Sequence, residues 1–186
     1  MPTESLYRTI ADDQQDMRVG YFGGAPGMLA SSVAWLTAGV VAIVQTPERA
    51  VWALFIGGML IHPVAILFTK AMGRSGAHRK GNPLGALAMA TTVWMLFCLP
   101  LAYVVSRRRI EWFFPAMLLV IGGRYLTFAT VFGSRVFVVC GAALALSAYG
   151  LVATTSSPSV GAFAGAAIEA AFAMVIFGRA RRPVVA

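Results

Sequence analysis

Three titratable side chains lie deep inside stretches that otherwise consist of apolar residues. Arg124 and Glu169 carry opposite charges, and His62 is able to change its charge near neutral pH. A charge at the centre of a bilayer costs about 2.5 to 3.5 kcal/mol on insertion scales, so such residues are usually paired or face a wet cavity. The three side chains therefore form a candidate midplane polar site for a small anionic solute or for protons.

Two interpretations of this site follow from the residue types. In the functional one, Glu169 is the acceptor, Arg124 anchors an anion and His62 titrates. In the structural one, Arg124 and Glu169 neutralise each other as a buried salt bridge that fixes helix register, and His62 is merely hydrogen-bonded. The residue types favour neither interpretation over the other.

The elements that position these residues are membrane-spanning helices. The chain is 59% hydrophobic and only 12% charged, with a mean hydropathy of +0.76, which is far from the composition of a soluble domain. A hydrocarbon core about 30 Å thick requires about 20 mostly apolar residues. The sequence predicts an all-α, polytopic integral membrane bundle of six transmembrane helices, at 25–44, 50–69, 84–105, 112–132, 135–153 and 160–178.

The predicted depths of the three polar side chains agree. Counted from the predicted outer ends at about 1.5 Å per residue, Arg124 and His62 each lie roughly 18 Å deep and Glu169 roughly 14 Å deep. Three different helices thus bring a titratable group to the midplane within about one helical turn.

The predicted spans form one transmembrane domain with short flanking segments. Residues 1–24 are a cytoplasmic, weakly amphipathic segment in which Leu6, Ile10 and Met17 alternate with acids, and residues 179–186 are a basic cytoplasmic tail. The acidic start does not match a cleaved secretory signal. Glycine pairs lie at 57–58 and 122–123, and each is followed by a cation at the same interval. Three repeated helical hairpins would explain this similarity, and so would chance.

The distribution of cations predicts the orientation of the chain. Most of them fall on the side that holds both termini, so the positive-inside rule predicts that both termini are cytoplasmic. The run from Arg107 to Arg109 then lies on the outer side, against the rule. Either this run has a role there, such as attracting anions, or the predicted topology is wrong.

The aromatic residues and the small residues in the spans each allow a structural and a functional interpretation. Trp35, Trp94 and Tyr125 are candidate cavity-lining residues, with ordinary packing as the alternative. Small residues at intervals of four let helices approach closely, either within this bundle or against a separate protein. These small residues are Ala30, Ala34, Ala38 and Ala42 in the first span, and Gly161 and Gly165 in the last.

Signatures of several other function classes are missing from the sequence. It contains no His-Glu-x-x-His, no Gly-x-Ser-x-Gly and no P-loop. His78 has no cysteine or carboxylate close by, so we expect no metal and no cofactor. Short basic loops at span ends explain the pI of about 10.3 through contact with anionic lipid, and we expect no nucleic acid. A membrane enzyme is the least favoured class.

Three short motifs carry a resemblance to known proteins. They are YFGGAPGMLASSVAW at Tyr21–Trp35, Asn82-Pro83-Leu84, and GRYLTFA at Gly123–Ala129 with Gly133 following. On these residues the chain resembles a family of uncharacterised small bacterial six-helix membrane proteins with a domain of unknown function. The resemblance implies the architecture and a bacterial protein, and hence the inner (plasma) membrane, but it implies no mechanism.

A second resemblance gives the rival hypothesis. Six spans in under 200 residues and the alanine ladder of the first span are similar to the substrate-binding components of energy-coupling vitamin transporters. The first hypothesis is therefore a protein that binds or transports a small solute or protons in the lipid bilayer. The alternative is a substrate-binding or docking subunit of a larger membrane transport complex, with a membrane partner or a second copy.

Overall fold

The computed structural model describes residues 9–180. Within them it is helical, and six segments are long and apolar enough to cross a membrane. This confirms the all-α bundle of six transmembrane helices, whereas the three repeated hairpins stay a prediction. The helices are α1 Ile10–Tyr21, α2 Ala25–Val44, α3 Pro47–Ala71, α4 Pro83–Arg108, α5 Phe113–Phe132, α6 Val136–Ala153 and α7 Pro158–Ala180.

Residues 1–8 and 181–186 fall outside the described residues, and with them Leu6 and most of the predicted basic tail. The six apolar helices favour a multi-pass protein in a lipid bilayer. The inner membrane and the cytoplasmic termini stay predictions. We call the end of the bundle that holds α1 and Ala180 the terminal end, and the opposite end, with its turns between α2 and α3, α4 and α5, and α6 and α7, the far end.

Two of the spanning helices begin with the same device, a capping side chain followed by proline. The Thr46 hydroxyl accepts a hydrogen bond from the backbone N–H of Arg49, and the Asn82 side-chain oxygen accepts one from Leu84. The proline that follows each cap presets a helical φ and has no N–H to satisfy. Both helices consequently begin slightly earlier than their apolar stretches alone indicate.

The helices are not equally buried. α2 packs against α3 and α7, α5 packs against α6 and α4, and α7 also contacts α6 and α5. In their most apolar stretches α3 and α4 are only 11% and 6% buried, against 33% or more for the other spans. α3 and α4 therefore form the edges of the bundle, and α2, α5, α6 and α7 form its centre.

Small residues allow neighbouring helices to approach closely. A Cβ atom on Gly57 would lie 2.8 Å from that of Ala34, and one on Gly165 would lie 2.7 Å from the Trp35 ring. Ala34 and Ala38 are buried, and Ala30 and Ala42 are half-buried. Most of the predicted small-residue face is thus used for packing within the chain.

α1 is tied to the terminal end of the bundle by its acidic side chains. Asp13 forms an ion pair with Arg79, 3.0 Å apart, and the Asn82 side-chain amide donates to Asp16 at 2.8 Å. The Tyr21 hydroxyl lies 2.9 Å from Nδ1 of His78. The loop between α3 and α4 is thereby fixed to α1.

The contact between α5 and α6 yields a test of the packing. A Cβ atom on Gly122 would lie 2.9 Å from the carbonyl oxygen of Gly141, whereas one on Gly123 would meet nothing within 4 Å. Gly122→Ala should therefore force the helices apart and lower the free energy of unfolding by about 1 to 3 kcal/mol. Gly123→Ala gains the same helix propensity without the clash. Thermal unfolding in detergent would contradict the packing if the two variants were equally stable.

Candidate functional site

The carboxyl group of Glu169 lies at the centre of the bundle. Its side chain is 0% exposed and projects from α7, about 17 Å along the helix from the far end at about 1.5 Å per residue. The Tyr125 hydroxyl of α5 donates a hydrogen bond of 2.7 Å to Oε1 of Glu169. The other carboxyl oxygen, Oε2, is buried and makes no hydrogen bond to any residue between 9 and 180.

α2 supplies the third wall of this site. The side chains of Ser31 and Trp35 lie beside the Glu169 carboxyl group, but neither has the geometry of a hydrogen bond to it. Nε1 of Trp35 is buried and has no hydrogen-bond partner in the described part of the chain. The site therefore contains an unused donor and an unused acceptor, although buried polar groups in proteins are nearly always paired.

Local sequence explains why these three helices meet around the carboxyl group. Ser31 and Trp35 are one turn apart and so share a face of α2. The neighbouring Ser32 donates to the carbonyl oxygen of Ala166 at 2.9 Å, which fastens α2 to α7. Gly165 leaves room for the Trp35 ring. Polar and small residues thus alternate along the contact between α2 and α7.

The Tyr125 ring is held in place by other aromatic rings. Its centroid lies 6.0 Å from that of Phe128 on the same helix and 5.9 Å from that of Phe137 on α6. Such tilted ring pairs stabilise the contact beyond the burial of area. The hydroxyl is thereby aimed at Glu169 by packing as well as by the hydrogen bond.

Arg124 is directed away from Glu169, toward α4. Its Nη2 atom donates to the Thr92 hydroxyl at 2.9 Å, and its guanidinium carbon lies 4.7 Å from the centroid of the Phe128 ring. Its Nε atom is buried and has no hydrogen-bond partner among residues 9–180. Thr92 and Phe128 are contacts that the sequence interpretation missed.

The salt bridge that the structural interpretation requires is not formed. The ion pairs between described residues join Arg79 to Asp13 and Arg109 to Glu111. Consecutive helical residues project about 100° apart, so a helix that turns Tyr125 toward α7 must turn Arg124 elsewhere. Arg124 acts on Glu169 only through space.

Two other predicted site residues lie on the outer surface of the bundle. His62 is exposed on α3, because it lies about 140° around the helix from Gly57, which faces α2. Trp94 is 65% exposed on α4.

Of the predicted residues, the structure brings together Glu169, Tyr125 and Trp35, and it adds Ser31. The sequence did contain a signal for Ser31, because a pair of serines lies one turn before Trp35 in an otherwise apolar span.

We find no sign of a metal centre in the described residues, where no three His, Cys, Asp or Glu side chains come close enough to share an ion. The donors around Glu169 are a phenol, a hydroxyl and an indole N–H. These groups can hold a carboxyl group or exchange protons with it, and they offer a metal ion too few oxygen ligands.

Substitution of Tyr125 tests the central hydrogen bond. Tyr125→Phe removes the donor to Glu169 and should lower the free energy of unfolding by about 1 kcal/mol. Tyr149→Phe is the matched control, since that side chain is 65% exposed. In a Glu169→Gln background the effect of Tyr125→Phe should change, because the two side chains interact. Equal losses for the two tyrosine variants, measured by thermal unfolding, would show that the hydrogen bond contributes nothing.

Comparison with known proteins identifies a family. The model of a family of unknown function, DUF7010, matches residues 10–179, which confirms the predicted resemblance to an uncharacterised domain family. No curated protein matches the chain, and no solved structure matches it. Because the match spans nearly all of its length, the chain belongs to the DUF7010 family, a family of unknown function.

Proposed function

We propose that this membrane protein binds and releases a proton at Glu169, and that this exchange moves protons, alone or with a small solute, across the bilayer. The observation that carries the proposal is the setting of the carboxyl group. It is fully buried, it accepts one hydrogen bond, and no described cation lies within ion-pair distance. Ionisable groups inside a membrane are expensive and commonly mark ion or proton pathways.

The groups around Glu169 can stabilise the carboxyl group in both protonation states. A carboxylate accepts hydrogen bonds only, and Tyr125, Ser31 and Trp35 all have a hydrogen to donate. A carboxylic acid must donate through one oxygen, and the Ser31 hydroxyl beside it can accept as well as donate. A small shift of Ser31 would complete either arrangement, and a small shift of Trp35 would complete the ionised one, because an indole N–H only donates.

Arg124 contributes a positive charge without forming an ion pair. It is next to Tyr125 in sequence and attracts the ionised form of Glu169 through space. A direct salt bridge would hold the carboxylate permanently charged, whereas a more distant positive charge allows the carboxyl group to gain and lose a proton. The half-buried guanidinium of Arg124 remains the candidate anchor for an anionic solute.

The alternative function, a docking subunit of a larger transport complex, is less well supported. Its predicted contact surface is the alanine ladder of α2, and Ala34 and Ala38 are buried inside this chain. A membrane partner would have to use another surface, such as the exposed sides of α3 and α4.

Infrared difference spectroscopy on the full chain in liposomes tests the proposal. The wild-type protein should show the carbonyl stretch of a buried carboxylic acid, and this band should disappear at alkaline pH. Glu169→Gln should lack the band, and Glu48→Gln, which removes an exposed carboxylate at the far end, should retain it. The proposal fails if no band depends on Glu169.

A flux measurement tests the consequence for transport. Under an imposed membrane potential, liposomes with the wild-type protein should take up protons, as reported by an enclosed pH-sensitive dye. Glu169→Gln should reduce uptake to that of protein-free liposomes, while Glu48→Gln should leave it unchanged. Equal uptake in wild type and Glu169→Gln would exclude proton movement through this residue.

A further inference from the structure

A second site lies at the far end of the bundle, away from Glu169. A cleft of about 680 Å³ opens between the start of α3, the end of α4 and the turn that leads into α5. Small-molecule pockets usually have volumes of about 300 to 1,000 Å³. The charged residues that line the cleft are Glu48, Arg107, Arg108, Arg109 and Glu111.

Two of these arginines have no side-chain partner among residues 9–180. Arg109 is paired with Glu111 at 3.4 Å and lies over the Trp112 ring. The side chains of Arg107 and Arg108, by contrast, make no hydrogen bond or ion pair to the described residues. Guanidinium groups bind phosphate and carboxylate groups through paired N–H donors. The far end of α4 thus presents two uncommitted anion-binding groups to the cleft.

The opposite wall of the cleft suits a cation. Glu48 and Trp52 are one turn apart on α3, and both line the cleft. The Trp52 ring lies 5.8 Å from the ring of Tyr103. An ammonium group is attracted both to a carboxylate and to the faces of aromatic rings. With Glu111 neutralised by Arg109, Glu48 would repel a simple anion but attract the cationic part of a zwitterion.

We propose that this cleft binds a zwitterion of the phosphoethanolamine type, with the phosphate at Arg107 and Arg108 and the ammonium at Glu48, Trp52 and Tyr103. Such a group occurs both in the headgroup of phosphatidylethanolamine and in free phosphoethanolamine. The position of the cleft at the end of the spans, next to Trp52 and Trp112, gives access from the lipid interface and from water. This site is independent of proton exchange at Glu169.

Binding can be measured on the purified full chain in an uncharged detergent, through tryptophan fluorescence. The probes are free phosphoethanolamine and a short-chain phosphatidylethanolamine, with inorganic phosphate for comparison. Arg108→Gln and Glu48→Gln should each weaken binding about tenfold, the loss typical of a charge-assisted contact. Arg49→Gln removes a charge at the same end but outside the cleft, and it should leave binding unchanged. All three residues are exposed, and thermal unfolding verifies that the variants fold.

Each result decides the proposal. Binding of either probe that depends on both Arg108 and Glu48 supports it, and the probe that binds identifies a solute site or a headgroup site. No binding of either probe would overturn it, as would equal effects of Arg108→Gln and Arg49→Gln. Inorganic phosphate that binds as tightly as phosphoethanolamine, with no effect of Glu48→Gln, would replace it with a simple anion site.

Discussion

The hydrogen bond from Tyr125 to Glu169 is the interaction around which the central helices are arranged. A carboxyl group in the middle of a membrane cannot face lipid without a large cost, so α7 must turn it inward. The donor comes from α5, and the remaining wall comes from α2. The Tyr125–Glu169 hydrogen bond therefore fixes the rotation of α5 and α7 about their axes, and the hydrogen bond from Ser32 to the α7 backbone fixes that of α2. Apolar packing alone would tolerate several rotations.

Small residues make that arrangement possible. The Trp35 ring reaches α7 only because position 165 has no side chain, and Ser32 bonds to the α7 backbone close to the same level. On the other side of α5, Gly122 and Gly141 bring α6 near enough for Phe137 to support the Tyr125 ring. Without hydrophobic attraction between helices in lipid, such close contact is the main source of stability.

Composition and length were sufficient to predict the spans, because a fixed bilayer thickness demands a fixed run of apolar residues. Depth was predictable for the same reason, and Glu169 does lie near mid-depth in α7. The direction in which each side chain points was not predictable. That direction depends on which face of a helix contacts the neighbouring helices. Because of the faces that meet, Arg124 forms no ion pair with Glu169, and His62 and Trp94 lie on the surface. Tyr125, adjacent to the more conspicuous Arg124, became the partner of Glu169.

The order of the helices along the chain has a consequence for biogenesis. α2 and α5 precede α7 in the sequence, so Ser31, Trp35 and Tyr125 are synthesised before the carboxyl group that they surround. Glu169 therefore gains its hydrogen bond only when α7 packs against α5. In a chain that ended after α6, the Tyr125 hydroxyl would lack the acceptor to which it donates in the full bundle.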